Sequence, residues 1–192
     1  MTIHRIAEEN IASSSTLDID ALINALCDKW INDYLDSASH SPCICEIPIK
    51  KTTFIFDQTS ASTEENTVED RLVAAYGFSV KHKKKRDASR IRGFIGGRID
   101  IPNKGKFDKG HALSHAMGGG LDINLFPQKP ALNRGHSKEG RTYRRMEKYA
   151  ADHPGTFVFS RLFYTDNSWV PSALEYGVLM PDGTLWVEWF EN

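Results

Sequence analysis

The sequence has few cysteines, and their number does not suit a disulfide framework. The three are Cys27, Cys43 and Cys45, an odd number that leaves at least one without a partner in the chain. Cys43 and Cys45 would share one face of a strand, but two thiols without a second pair of ligands make a poor zinc site. We therefore expect plain buried thiols.

Long apolar runs are also missing. No segment approaches the ~18 consecutive apolar residues of a membrane-spanning helix, so we expect no membrane partner. Residues 1–15, MTIHRIAEENIASSS, lack the apolar core of a secretory signal peptide. The sequence therefore predicts synthesis in the cytoplasm, with any export using a route that does not read such a signal.

Charges of opposite sign are balanced overall but not along the chain. The net charge is −1, yet residues 1–80 carry 5 Lys or Arg against 13 Asp or Glu, and residues 81–192 carry 19 against 12. An apolar content of 40% with 26% charged residues is ordinary for a globular protein. The cationic part favours a polyanionic partner, although a solvated basic surface would explain the charge alone.

The first regular element is predicted by apolar residues at helical spacing. Thr16 or Asp18 can cap a helix that runs to about Asp36. Its apolar stripe consists of Ile19, Leu22, Ile23, Leu26, Trp30, Ile31 and Leu35. We expect this helix to pack on the core and to carry no chemistry.

Short strands are predicted on both sides of the central stretch. Segments rich in β-branched and aromatic residues lie at 43–49, 52–56, 156–164, 173–180 and 184–190. Pro48 favours an edge position for the first strand, and the segment 181–183, Pro-Asp-Gly, predicts a hairpin turn. The segment 71–80 could be helix or strand. The sequence thus predicts an α+β fold with a mainly antiparallel sheet and an N-terminal packing helix.

The polar, acidic segment 58–70 is the best candidate for an internal boundary. It separates the acidic beginning of the chain from the basic remainder. We therefore divide the chain into an acidic region, 1–70, packed on the same domain, and a basic domain, 71–192.

The stretch from Lys106 to Glu147 combines features that no ordinary core segment needs. It contains Asp-Lys-Gly-His at 108–111, a glycine triplet, Asn-Leu-Phe-Pro-Gln at 124–128, Leu-Asn-Arg-Gly at 132–135 and a basic helical segment. In this order and spacing, residues 88–150 resemble the DNA/RNA non-specific endonuclease family, the ββα-metal or His-Me finger nucleases. The resemblance implies a finger of two strands and a helix that holds one divalent cation.

Hydrolysis of a phosphodiester needs a base for water, charge stabilisation and help for the leaving oxygen, which a histidine and one hard cation supply. The resemblance makes His111 the general base, with Gly110 letting the backbone approach the phosphate. Asn133, at the start of the following helix, would be a ligand of Mg²⁺ or Mn²⁺. Capping of that helix by Asn133 is the simpler alternative. Glu147 corresponds to the acid of the family's helix.

Further positions of the motif have supporting roles by the same resemblance. Asp108 would orient its neighbours or a metal-bound water. Arg134 would hold the transition-state phosphate, and a solvated arginine is the alternative. Lys109 stands where the family has Arg, which keeps the charge but loses the planar fork. Asn124 and Gln128 would brace the site from the second strand.

Residues 136–141 are an insert relative to the family. If the insert loops out, the helix resumes at Tyr143 and presents Glu147. Otherwise Glu139 fills the acidic position. We favour Glu147.

A dense cationic run precedes the motif. Residues 81–86 contain five cations in six residues, and two arginines follow closely. A solvated loop is one interpretation, and contact with a nucleic-acid backbone is the other. The second assigns phosphate binding to Lys83, Lys84, Lys85, Arg86, Arg90 and Arg92. The segment 90–101 predicts a hairpin or a bulged strand.

The resulting hypothesis is a metal-dependent hydrolase, a largely sequence-non-specific endonuclease acting on DNA and/or RNA. A nuclease made without a signal peptide would endanger its own cell, which suggests a toxin or effector held by an immunity protein. One alternative is a catalytically weak or dead nucleic-acid-binding module of the same fold. Another is a zinc-structured protein that uses His111, His115 and the cysteines.

Overall fold

The computed structural model describes residues 18–58, 70–81, 106–120 and 122–192. In these ranges the helices are α1 (Ile19–Ser37), α2 (Pro130–Asn133) and α3 (Lys138–Asp152). The strands are β1 (Ile44–Ile49), β2 (Thr52–Asp57), β3 (Arg71–Phe78), β4 (Asp108–His111), β5 (Leu125–Gln128), β6 (Phe157–Phe163), β7 (Ala173–Leu179) and β8 (Leu185–Glu191).

Within these ranges, six strands form one antiparallel sheet in the order β1-β2-β3-β6-β7-β8, and β4 pairs with β5 in a separate two-stranded sheet. Strand β1 lies at an edge, as Pro48 predicts, since proline cannot donate to a neighbouring strand. The segment 71–80, which the sequence left undecided, forms β3 between β2 and β6. The α+β class with a mainly antiparallel sheet is confirmed.

Helix α1 covers one face of the six-stranded sheet. Asp18 caps the helix by accepting hydrogen bonds from the backbone N–H groups of Asp20 and Ala21 at 3.1 Å each. The residues that the helix buries are Leu22, Leu26, Cys27, Trp30 and Tyr34. The predicted helix is confirmed, but one residue of its predicted apolar stripe does not face the core. Leu35 is 42% exposed, because Tyr34 takes the buried position at the end of the helix.

The opposite face of the sheet is covered by α3 and the two-stranded sheet. Tyr143, Met146 and Ala150 of α3 share one core cluster with Leu113 and Phe126 from the β4–β5 unit. From the sheet, this cluster includes Val158, Leu162, Leu174, Tyr176, Val178 and Phe190. The six-stranded sheet is therefore a central layer between α1 and the motif.

All three cysteines are free thiols. Burial raises the pKa of the Cys27 thiol to about 11. The expectation of buried thiols holds only for Cys27, because Cys43, just before the edge strand β1, is exposed and Cys45 is half-buried. No helix in the described part of the chain has the length and apolar character that a membrane crossing needs.

Several predictions fall on residues outside the described ranges. These are most of the acidic segment 58–70, the segment 90–101, and the six cations from Lys83 to Arg92 that we assigned to phosphate binding. The division of the chain at residue 70 stays a prediction. The strands on its two sides, β2 and β3, pair in one sheet.

Replacing Trp30 by alanine should lower the free energy of unfolding by about 3–5 kcal/mol, the usual cost of removing a fully buried aromatic side chain. Its ring lies 4.9 Å from Phe159 and 6.0 Å from Tyr76 between α1 and the sheet. Urea denaturation measures the change. Leu35→Ala, on the same helix, is the control and should change stability by no more than about 0.5 kcal/mol. Equal losses in the two variants would contradict this packing.

Candidate active-site cleft

Strands β4 and β5 place the motif's side chains on two faces. They pair antiparallel, with Asp108 opposite Gln128 and His111 opposite Leu125. Because side chains alternate along a strand, Lys109 and His111 lie on one face and Asp108 on the other. The His and Lys of the motif therefore point to the same side of the two-stranded sheet.

The close approach of Gln128 leaves no room for a side chain at Gly110. A Cβ at position 110 would lie 2.4 Å from Oε1 and 2.5 Å from Cβ of Gln128. The Gln128 side chain is fully buried, and it occupies the space that a side chain at position 110 would need. This close packing is a sufficient physical reason for glycine before His111, and it differs from the reason that the sequence suggested.

Asn124 fixes the connection that follows His111. It ends a short 3₁₀ turn, Asp122–Asn124, one residue before β5, and is fully buried. Its Oδ1 accepts the N–H of Leu113 at 2.9 Å, and its Nδ2 donates to the carbonyls of Leu113 at 2.8 Å and Gly120 at 2.7 Å. The carboxamide thus holds the loop beside the histidine, and every bond that it makes is to backbone.

Two helices follow β5, and their bounds correct two expectations. Asn133 is the last residue of the one-turn helix α2, so it neither starts nor caps a following helix. The helix N-terminus that we expected beside Asn133 is absent there. Helix α3 already begins at Lys138, where the Ser137 hydroxyl accepts the N–H of Gly140 at 2.9 Å.

The insert 136–141 does not loop out, although looping out was the condition under which the sequence placed Glu147 on the helix. Gly140 lies so close to α2 that a Cβ there would meet the carbonyl oxygen of Ala131 at 2.3 Å. Gly135, with a φ of 75°, turns the chain between the two helices. Most of the insert is thus the first turn of α3, packed against α2.

Five of the predicted site residues line one cleft of about 630 Å³, whereas Asp108, Asn124 and Gln128 are not in its lining. Its lining includes Lys109 and His111 from β4, Asn133 and Arg134 after β5, and Glu147 from α3. Glu139, the alternative acid, is exposed at the start of α3 and does not line the cleft. Other lining residues that the sequence did not single out as site residues are Ser114, Ala116, Arg144, Lys148, Ala151 and Asp152. Arg144 and Lys148 are four residues apart, so they lie on one side of the helix beside Glu147, and this spacing is the signal that could have identified them.

Asp108 joins the first strand to the end of α2. Its carboxylate accepts two hydrogen bonds from Arg134, from Nε at 2.7 Å and Nη2 at 2.5 Å, and one from Nδ2 of Asn133 at 3.0 Å. The Arg134 guanidinium is the largest cause that holds the pKa of Asp108 below its usual value, and Asn133 adds to the effect. Asp108 thus stays ionised and orients both neighbours.

His111 lies at the buried end of β4. The side chain of Tyr143 reaches it from α3 and donates a hydrogen bond from its hydroxyl to the His111 carbonyl at 3.1 Å. Burial raises the pKa of Tyr143 well above its usual value, so the hydroxyl keeps its proton and remains a donor. The backbone position of the histidine is therefore fixed from the core.

Oxygen donors line the cleft beside the His111 imidazole. Asn133 and Glu147 supply a carboxamide and a carboxylate. Among the described residues, no three His, Cys, Asp or Glu side chains are grouped to hold a metal ion. His115, the second histidine of the zinc-structured alternative, begins a 3₁₀ turn rather than lying on an α-helix with His111.

Comparison with known proteins leaves the function open. No family model matches the chain, and no curated protein matches it. Among solved structures, it is similar to one described as Sda1 nuclease with bound zinc ion, at 12% identity and a TM-score of 0.40, over 84% of this chain and 81% of that one. A likeness this weak supports neither a fold family nor an activity, so function is inferred from the cleft.

Gly110→Ala should destabilise the protein by about 1–3 kcal/mol, because the added methyl group overlaps the Gln128 side chain. Thermal or urea denaturation measures the change. Gly120→Ala is the control, since a Cβ there meets nothing within 4 Å. Combining Gly110→Ala with Gln128→Ala should reduce the loss. If Gly110→Ala and Gly120→Ala are equally stable, Gln128 is not the reason for the glycine.

Arg134→Gln should raise the pKa of Asp108 towards its ordinary value of 3.8, because the guanidinium is the main group that lowers it. Carbon-13 NMR titration of the carboxyl groups measures the shift. In the wild type, the ionised carboxylate stabilises the fold above the unfolded-state pKa near 3.8, and this contribution is lost as pH falls through the lowered pKa. Arg145→Gln is the control and should leave the pKa of Asp108 unchanged. If Arg134→Gln also left the pKa of Asp108 unchanged, the pairing of Asp108 with Arg134 would be refuted.

Proposed function

We propose that this protein is a metal-dependent endonuclease that hydrolyses phosphodiester bonds in DNA or RNA with little sequence specificity. One observation carries the proposal: His111, Asn133 and Glu147, from three separate elements, line a single cleft with four cations. A base, oxygen ligands and positive charge around one space are what phosphodiester hydrolysis needs.

The orientation of Asn133 fits a role as metal ligand. Its amide nitrogen donates to Asp108 at 3.0 Å, which leaves its carbonyl oxygen as the atom available to a cation. Glu147 lines the same cleft, and its side chain is only 12% exposed. It would be the second oxygen donor. Oxygen donors of this kind favour Mg²⁺ or Mn²⁺ over softer metals. When bound, such a cation would polarise the phosphate and stabilise the leaving oxygen.

His111 is the proposed general base. Its imidazole lines the cleft, where it would accept a proton from the attacking water. Lys109 lies on the same face of β4, so its ammonium group would contact the same phosphate. As a compact point charge it holds phosphate with less geometric control than an arginine would.

Arg134 serves the site as a fixed charge. Its guanidinium is held by two bonds to Asp108, and its side chain is 55% exposed at the rim of the cleft. A guanidinium held in one orientation stabilises developing negative charge without reorganising during the reaction. Asp108 therefore acts through Arg134 and Asn133, as a positioning residue.

The ββα-metal finger that the sequence predicted is part of this same proposal. A ββα-metal finger would consist of β4, β5 and α3, with α2 as the connection that presents Asn133. The role as a toxin, the immunity partner and the phosphate contacts of Lys83 to Arg92 stay predictions.

Digestion of plasmid DNA and total RNA with Mg²⁺, and in parallel with EDTA, tests the function. Wild-type protein should degrade nucleic acid only with the metal. His111→Ala should lower the rate by roughly 10²- to 10⁴-fold, the usual contribution of a general base. Asn133→Ala should raise the Mg²⁺ concentration needed for half-maximal activity.

His153→Ala is the matched control for the histidine, because His153 follows α3 outside the cleft, and it should retain activity. No degradation by folded wild-type protein with Mg²⁺ or Mn²⁺ would refute the proposal. Metal-independent nucleic-acid binding would then favour the binding-module alternative.

A further inference from the structure

We infer that the cleft-facing cations of α3, Arg144 and Lys148 continued by Arg141, form the surface that binds the phosphate backbone of the nucleic-acid strand. This inference rests on the proposed function, and it assigns substrate binding to residues that lie beside the proposed metal ligand. It is independent of the cationic run before the motif.

The geometry of α3 places these side chains on one side. Tyr143, Met146 and Ala150 face the core, and Arg144, Glu147 and Lys148 line the cleft. With 3.6 residues per turn, positions 141, 144 and 148 are neighbours on one face. Arg141 is exposed one turn before Arg144 and extends the row away from the cleft.

The charge of the cleft favours an anion longer than one phosphate. Its lining contains four cations, Lys109, Arg134, Arg144 and Lys148, against two carboxylates, Glu147 and Asp152. Lys109 and Arg134 lie beside the proposed reaction centre. Arg144 and Lys148 belong to a different element, so they are placed for other phosphates of the same strand.

The acidic partners of these two cations would not prevent binding. Arg144 lies 3.5 Å from Glu147, and Lys148 lies 2.5 Å from Asp152. The Arg144 and Lys148 side chains are 57% and 75% exposed, and ion pairs at such exposure contribute little free energy. Both cations can therefore exchange a carboxylate for a phosphate oxygen at low cost, whereas Arg134 is held by two bonds.

The length of the row matches several nucleotides. Lys148 lies seven positions after Arg141 along the α-helix, a rise of roughly 10 Å. One strand of B-form DNA carries a phosphate about every 3.4 Å along its axis, so the row spans about three phosphates.

The salt dependence of binding tests this surface. The affinity of wild-type protein for a fluorescent single-stranded DNA, and for the matching duplex, is measured in EDTA by fluorescence anisotropy over a range of salt concentrations. Arg144→Gln/Lys148→Gln should weaken binding, and it should lower the slope of log affinity against log salt by about two, since each lost phosphate contact removes about one.

Lys51→Gln/Lys138→Gln removes the same charge from two exposed positions outside the cleft and should keep the wild-type slope. Equal slopes in the two double variants would overturn the inference, even if the wild type cleaves DNA with Mg²⁺. A reduced slope only in the cleft variant, with no cleavage by the wild type, would support the surface and refute the nuclease.

Discussion

The position of the cleft depends on Tyr143, which connects the central sheet with the strand of the proposed base. Its ring meets Tyr176 of β7 at 5.1 Å and Phe190 of β8 at 5.3 Å, both edge to face. Each such pair contributes about 0.5–1.5 kcal/mol beyond burial. Its hydroxyl then bonds the His111 carbonyl. One buried side chain thus sets α3, and with it Glu147, at a defined place relative to the histidine.

The polar part of the site is organised by a second contact, between Asp108 and the end of α2. The carboxylate binds Arg134 and Asn133 together, so a residue on the far face of β4 controls the orientation of groups in the cleft. Charge-assisted hydrogen bonds of this kind are stronger and more directional than neutral ones. The charges of Asp108 and Arg134 are therefore held at fixed positions. The cations of α3 that line the cleft, Arg144 and Lys148, remain exposed.

Features that depend on neighbouring residues were predictable. Asp18 caps α1, and Asp182 and Gly183 form the turn between β7 and β8, where Asp182 Oδ1 accepts the N–H of Thr184 at 2.9 Å. Features that depend on distant contacts were not. Leu35 fits the apolar stripe but is exposed, because the polar network around Tyr34, Asp57 and Arg71 holds Tyr34 inward. The insert became helix because Gly140 packs on Ala131.

The α+β class, the strands that follow the motif and the residue types of the cleft were predictable from the sequence, because periodicity, capping and short motifs are local properties of the chain. The packed fold was needed to show that Glu147 and not Glu139 lines the cleft, that Asn133 ends a helix, and that Arg144 and Lys148 line the same cleft. Those outcomes depend on which face of α3 is buried, and burial is set by contacts between residues far apart in the sequence.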